Sequence, residues 1–280
     1  MLRVLIGMLL TGLLLVGGQA VACEQDCIDT HQWQIGVAIG AGVRTNPLVD
    51  GDNIPLVVLP DIAWYGERFY LDNDELGYQL AAHSDWAAEV FVNINKEAAN
   101  FAFWHPANIF SNLALTNSMI GPSAEVRRAV SKDDVATRHW AVNGGVRLHW
   151  RFENAELQVS TVTDVSGVHN GGQAELNYSY SGHIGAWRWS VTPGLIWKSA
   201  RLVDYYYGLD DRDGVDTSLY YEGRSGWYPS LMLQVTKPLA ENWLLLASMN
   251  WTKLHKGMTD SPLLAENKIR GLFVGVAYHF

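Results

Sequence analysis

Apolar and polar residues alternate with a period of two along most of the chain after residue 31. In "WRWSVTPGLIWK", Trp187, Trp189, Val191, Pro193, Leu195 and Trp197 share one face, and Arg188, Ser190, Thr192, Gly194 and Lys198 share the other. That period is the signature of a strand with two unlike faces. The polar face is no protein core, and a face with three tryptophans is not one left in water. The same grammar recurs at "WQIGVAIGAGVR", "WAVNGGVRLHWRF", "WYPSLMLQVTK" and "WLLLASMNWTK", each led by a tryptophan.

The pattern predicts strands near 32–44, 54–65, 67–72, 76–82, 86–96, 139–152, 155–165, 173–184, 187–198, 226–238, 242–254 and 269–280. That is about 12 strands, with 10 as the alternative if the two shortest pieces are not separate. Connectors alternate between tight (Tyr65-Gly66, Ser84-Asp85, Glu153-Asn154, Gly185-Ala186, Leu239 to Glu241) and long (45–53, 97–138, 166–172, 199–225, 255–268), with 73–75 as a short exception. Trp243 and Trp251 are eight residues apart, about 26 Å along a strand and about 20 Å of height when tilted by about 40°. This height approaches the apolar band between the aromatic girdles of outer-membrane barrels. The expected fold is therefore all-β: a transmembrane antiparallel up-and-down β-barrel over residues 32–280, with short periplasmic turns and longer extracellular loops.

The last strand, "RGLFVGVAYHF", places Leu272, Val274, Val276, Tyr278 and Phe280 on one face and Gly271, Gly275, Ala277 and His279 on the other. A final strand this apolar needs burial, and pairing with the first strand supplies it while removing both edges. Gly275, Tyr278 and Phe280 resemble the terminal signal read by the barrel-assembly machinery. Phe273 departs from that signal, which usually has a polar residue there.

Composition agrees with a wall facing lipid. There are 12 Trp and 12 Tyr, and charged residues make up 18%, below the roughly 25% of typical soluble proteins. Residues 1–22 read as a cleaved secretory signal: Arg3, an apolar run from Val4 to Val16, then Ala20-Val21-Ala22. Residues 23–31 follow as a short periplasmic segment. Cys23 and Cys27 leave a small disulfide, free thiols or a lipidated Cys23 open. Beyond the signal no apolar run is long enough for a transmembrane helix. The formal net charge of −9 argues against nucleic-acid binding.

Candidate chemistry is sparse. Asp210, Asp211, Asp213 and Asp216 hint at a calcium loop, but the closing bidentate glutamate is missing, so a solvated acidic loop is the expectation and no metal or other cofactor is assigned. Tyr205, Tyr206 and Tyr207 have two readings: a surface for sugar or partner, or rings packing the loop onto the barrel rim. His139 and Asp164 are imaginable as barrel-enzyme groups, yet no nucleophile motif accompanies them, and the chain is expected to be no enzyme. Inward positions include Glu89, Glu156, Glu175, Arg147, Arg151 and Arg188, mixed in sign and suited to pairing inside a filled lumen.

Several stretches together resemble the MipA/OmpV family: "VLPDIAWYGERFYLDNDELGYQL" (Val58 to Leu80), "VDYYYGL" (Val203 to Leu209), Tyr221 to Gly223, and "TDSPLL" (Thr259 to Leu264) before the closing strand. The resemblance spans nearly the whole mature chain and is weakest over 97–138. It implies a barrel in the cell outer membrane. It further implies a scaffold between a lytic transglycosylase and a murein synthase, with a narrow porin-like channel or surface adhesin as the alternative.

Overall fold

The computed structural model describes residues 31–102, 108 and 129–280. The leader, Cys23 and Cys27 lie outside the described residues. Twelve strands, β1 (Trp33–Arg44), β2 (Ile54–Tyr65), β3 (Phe69–Asp72), β4 (Glu75–Ala82), β5 (Trp86–Ile94), β6 (Val142–Arg151), β7 (Ala155–Asp164), β8 (Gly172–Ile184), β9 (Trp187–Lys198), β10 (Gly226–Ala240), β11 (Trp243–Lys253) and β12 (Lys268–His279), follow one another around the sheet. β12 pairs antiparallel with β1 and closes the barrel. The two shortest predicted pieces are separate strands, β3 and β4, so twelve is the correct number. Among the described residues no helix is long and apolar enough to cross a membrane.

Alternation sorts side chains as the sequence predicts. Ile35, Ile39, Val92, Val146, Leu176, Met249 and Val274 stand exposed on the outer wall. Tryptophans gather in two belts. Trp33, Trp64, Trp86, Trp150, Trp187 and Trp243 lie at the end of the tight turns, where β1 starts and β12 finishes; Trp140, Trp197, Trp227 and Trp251 lie toward the long loops. Amphipathic indoles favour such interfacial positions.

The seam depends on close backbone approach. Gly40 sits opposite Gly275, and the fully buried ring of Phe273 lies across both. A Cβ on Gly40 would come within 2.2 Å of the Val274 carbonyl, and one on Gly275 within 2.5 Å of the Phe273 ring. Phe273, which departs from the usual assembly signal, thus fills the space its neighbouring glycines leave.

The long loops hold helix that the strand pattern did not predict. α1 (Ala200–Tyr207) is capped by Ser199, whose hydroxyl accepts from the Leu202 amide, and it buries Leu202, Val203, Tyr206 and Tyr207. A shorter helix, α2 (Lys256–Thr259), buries Met258. β6 starts at Val142 rather than 139 because the His139 amide and carbonyl bond the Tyr205 and Tyr206 hydroxyls instead of a strand.

Candidate functional site

At the long-loop end the loops pack on one another. Leu202, Val203, Tyr206, Tyr207 and Leu209 from the loop after β9 pack with Leu48, Ala98, Met258, Leu263 and Leu264 from other loops and with Tyr228 on the β10 wall. Burying these rings and aliphatic chains is favourable by roughly 25 cal/mol per Å² of apolar surface, and it holds the loops together.

A polar strut crosses the same region. A 3₁₀ turn, Glu97–Asn100, follows β5. Glu97 accepts from Lys198 Nζ at 2.5 Å and from the Tyr207 hydroxyl at 2.6 Å. Asn100 Nδ2 donates to the Tyr207 hydroxyl at 2.8 Å, and Arg44 Nη2 donates to Asn100 Oδ1 at 2.9 Å. Lys198 also lies 4.8 Å from the centre of the Tyr228 ring. β1, the loop after β5, the end of β9 and α1 are thereby tied together. Burial raises the Glu97 carboxyl, but Lys198 and Tyr207 outweigh it and hold the group below its ordinary range. Burial, followed by the Glu97 charge, pushes the Tyr207 phenol up.

Outside the strut, Arg138 and Asp213 form an ion pair at 2.8 Å in which both side chains are almost inaccessible. Arg138 also donates to the carbonyls of Tyr206, Gly208 and Ala136. Asp213 closes a capping box with Asp210 and accepts from the Ala136 amide. Its carboxyl is raised by burial and lowered more strongly by Arg138, so it stays ionised below the usual range.

These contacts correct the expectation of a solvated Asp210–Asp216 segment at Asp213 alone, since Asp210, Asp211 and Asp216 are exposed. Asp213 is a buried anchor, and Arg212 lies over the Tyr205 ring while donating to the Asp204 and Tyr205 carbonyls. The three tyrosines do not form a surface: Tyr206 and Tyr207 are fully buried and only Tyr205 is half-buried. Rim packing is the reading that fits them. Asp164 is occupied within its own loop, accepting from the amides of Ser166, Gly167, His169 and Asn170, which leaves no free base there.

Inside the barrel, charges pair along one wall. Arg147 grips Glu75 through two nitrogens at 2.6 and 2.7 Å and reaches Glu89 at 2.7 Å, the strong bidentate geometry. His149 lies 2.9 Å from Glu156 and 3.3 Å from Glu89. Glu175 accepts from Gln173 on its own strand. The pairing therefore runs along β4, β5, β6 and β7 on one side of the barrel. A cavity of about 390 Å³ is bordered by apolar residues such as Leu59, Met232, Leu244 and Leu246 and by the polar Asp61, Asp72, Asn73, Gln234, Thr236 and His279.

At the barrel end, Tyr278 packs against Trp243 and Phe280, and the Phe280 amide donates to Ile35 across the seam. Phe280 itself is 77% exposed on the outer wall. Sequence reasoning missed Glu97, Arg138 and Lys198 as a set because their partners are up to 110 residues apart. Only the inward parity of Lys198 on its strand was a local signal.

A family model described as "MltA-interacting protein MipA" matches residues 37–280. The chain belongs to the MipA family. Similar proteins include the one named "Putative outer membrane protein YiaT" of Escherichia coli (strain K12), 24% identical with 88% of this chain and 91% of that protein covered. The MltA-interacting protein of the same strain is 28% identical, covering 88% and 90%. Outer membrane protein OmpV of Vibrio cholerae is 20% identical, covering 95% and 96%. None of these three names is that of an enzyme. This MipA-family protein is an outer-membrane β-barrel.

Proposed function

We propose that the protein is a non-conducting, non-enzymatic scaffold for murein-processing enzymes, anchored in the outer membrane with its tight turns and both termini toward the periplasm. The observation that carries this reading is the long-loop end, where the loops after β1, β5, β9 and β11 share one buried cluster and Glu97 ties Lys198 to Tyr207, with no nucleophile–base array beside them among the described residues. The relative named MltA-interacting protein supports a lytic transglycosylase as one partner, with a murein synthase as the second. In this reading residues 1–22 are removed on export, residues 23–31 precede the barrel, and the terminal strand with Gly275, Tyr278 and Phe280 is handed to the barrel-assembly machinery.

The direct experiment immobilises the purified barrel in nanodiscs and titrates it with a purified membrane-bound lytic transglycosylase and, separately, a bifunctional murein synthase. Saturable binding of both, and of both together, is expected. Absence of binding by either enzyme would remove the scaffold reading. The polar lumen wall of Arg147, Glu75, Glu89 and His149 favours a second reading, a narrow channel.

A further inference from the structure

The outer wall carries little charge. Strand alternation turns four basic side chains outward: Lys237 on β10, Lys253 on β11, and Lys268 and Arg270 on β12. The parity is fixed by their neighbours, since Leu254 is buried in the loop cluster and Ile269 packs against it. Lys253, Lys268 and Arg270 therefore share the face of Trp251 and the exposed Met249. Lys237 has a partner, its ammonium lying 5.2 Å from the centre of the Trp187 ring, a cation–π contact.

The other three cations are gathered without one. Lys253 and Lys268 stand directly opposite each other on β11 and β12, and Arg270, opposite Trp251, is the diagonal neighbour of Lys253. Opposed side chains have Cβ atoms about 4.5–5.5 Å apart and diagonal ones about 7–8 Å, and like charges so placed repel. Among the described residues no carboxylate lies within ion-pair distance of any of the three. Glu266, exposed and two residues before Lys268, does not pair with it. In a chain of formal net charge −9, this is a local excess of the opposite sign, and an anion from outside the chain would relieve it.

Height selects the anion. Trp251 belongs to the belt toward the long loops, and Lys253 lies two residues further, about 5 Å higher at about 3.3 Å per residue and about 40° of tilt. Indoles of such belts sit at the headgroup level, so the three cations meet lipid phosphates. Below them the wall is apolar: Leu231 is opposite Trp251, and Leu233 is opposite Met249. Arginine can grip two phosphate oxygens at once, while lysine acts as a point charge. We propose that this face of β11 and β12 binds a phosphorylated glycolipid of the outer leaflet, of the lipid A class. Lys253, Lys268 and Arg270 hold a phosphate, and an acyl chain lies along Trp251, Met249, Leu231 and Leu233. The choice of leaflet rests on the orientation given above, with the long loops outside.

Full-length barrel in a neutral maltoside detergent is mixed with bisphosphorylated lipid A, with the same lipid dephosphorylated, or with phosphatidylglycerol, and retained lipid is counted by native mass spectrometry. The bisphosphorylated lipid should be retained best. Its occupancy should fall by about tenfold or more in Lys253→Gln/Lys268→Gln/Arg270→Gln, the scale expected when three basic side chains leave a lipid phosphate, and stay unchanged in Lys237→Gln. Heat-modifiable migration confirms that both variants are folded. Undiminished retention by the triple variant, equal retention of the dephosphorylated lipid, or preference for phosphatidylglycerol overturns the proposal. Orientation is read separately with Lys256→Cys, an exposed long-loop position, using a membrane-impermeant maleimide on intact cells and permeabilised cells as the positive control. Labelling of intact cells above the wild-type background is expected; labelling only after permeabilisation would overturn the orientation and the leaflet with it. No murein enzyme enters either readout, so a failed lipid assay with intact-cell labelling leaves the scaffold reading standing.

Discussion

Glu97 holds a charge where almost no water reaches it, because Lys198 and Tyr207 replace the hydration it loses. Removing one partner of such a pair costs more than the pair contributes, about 3–5 kcal/mol, since the other charge is left buried and unpaired. Lys198→Met should therefore loosen the closed end severely, and Glu97→Gln/Lys198→Met should recover much of the loss. Amide hydrogen exchange across residues 199–225 measures this; a double variant as loose as the single one would contradict it. Acid gives a second test. Glu97 and Asp213 have carboxyl groups held below their ordinary range, and burial holds His169 below the usual histidine value. All three bind fewer protons folded than unfolded, so their stabilisation is present at neutral pH. It is lost as pH falls, first past the histidine range near 6.5 and then below the carboxylate range near 4. Protection in 199–225, taken relative to the intrinsic exchange rate at each pH, should fall over that descent, and protection that rose would reverse the sign of the account.

At the scale of the strand, inside and outside were legible because the side-chain period is two and the two solvents differ so strongly. Trp187 to Lys198 is the clearest case: Val191 faces outward beside Leu233, and Ser190 faces inward beside Gln234. Val191→Arg should cost about 2–4 kcal/mol near mid-membrane, while Ser190→Arg should be better tolerated; equal unfolding midpoints in urea would undo the assignment. The helix α1 was not legible, because "ARLVDYYY" is short and its apolar residues gain burial only from loops far away in sequence. For the same reason the tyrosines carried two readings from sequence, and Asp213 looked like one more solvated acid until Arg138 was brought to it. At the seam, deletion of Phe280 removes its cross-strand hydrogen bond to Ile35 and the terminal aromatic of the assembly signal. Outer-membrane fractions should then lack the heat-modifiable folded form, and a normally migrating deletion variant would refute that role.

For the whole molecule, the two ends differ. Tight turns leave one end with little loop structure, whereas at the other the loops after β1, β5, β9 and β11 converge on one buried cluster. Closure of the long-loop end is the claim on which the scaffold reading depends. Single-channel recording in planar bilayers tests it most directly: the wild-type barrel should insert without steady current, and Lys198→Met should produce open events. A steady open-state conductance from the wild-type protein would contradict the account.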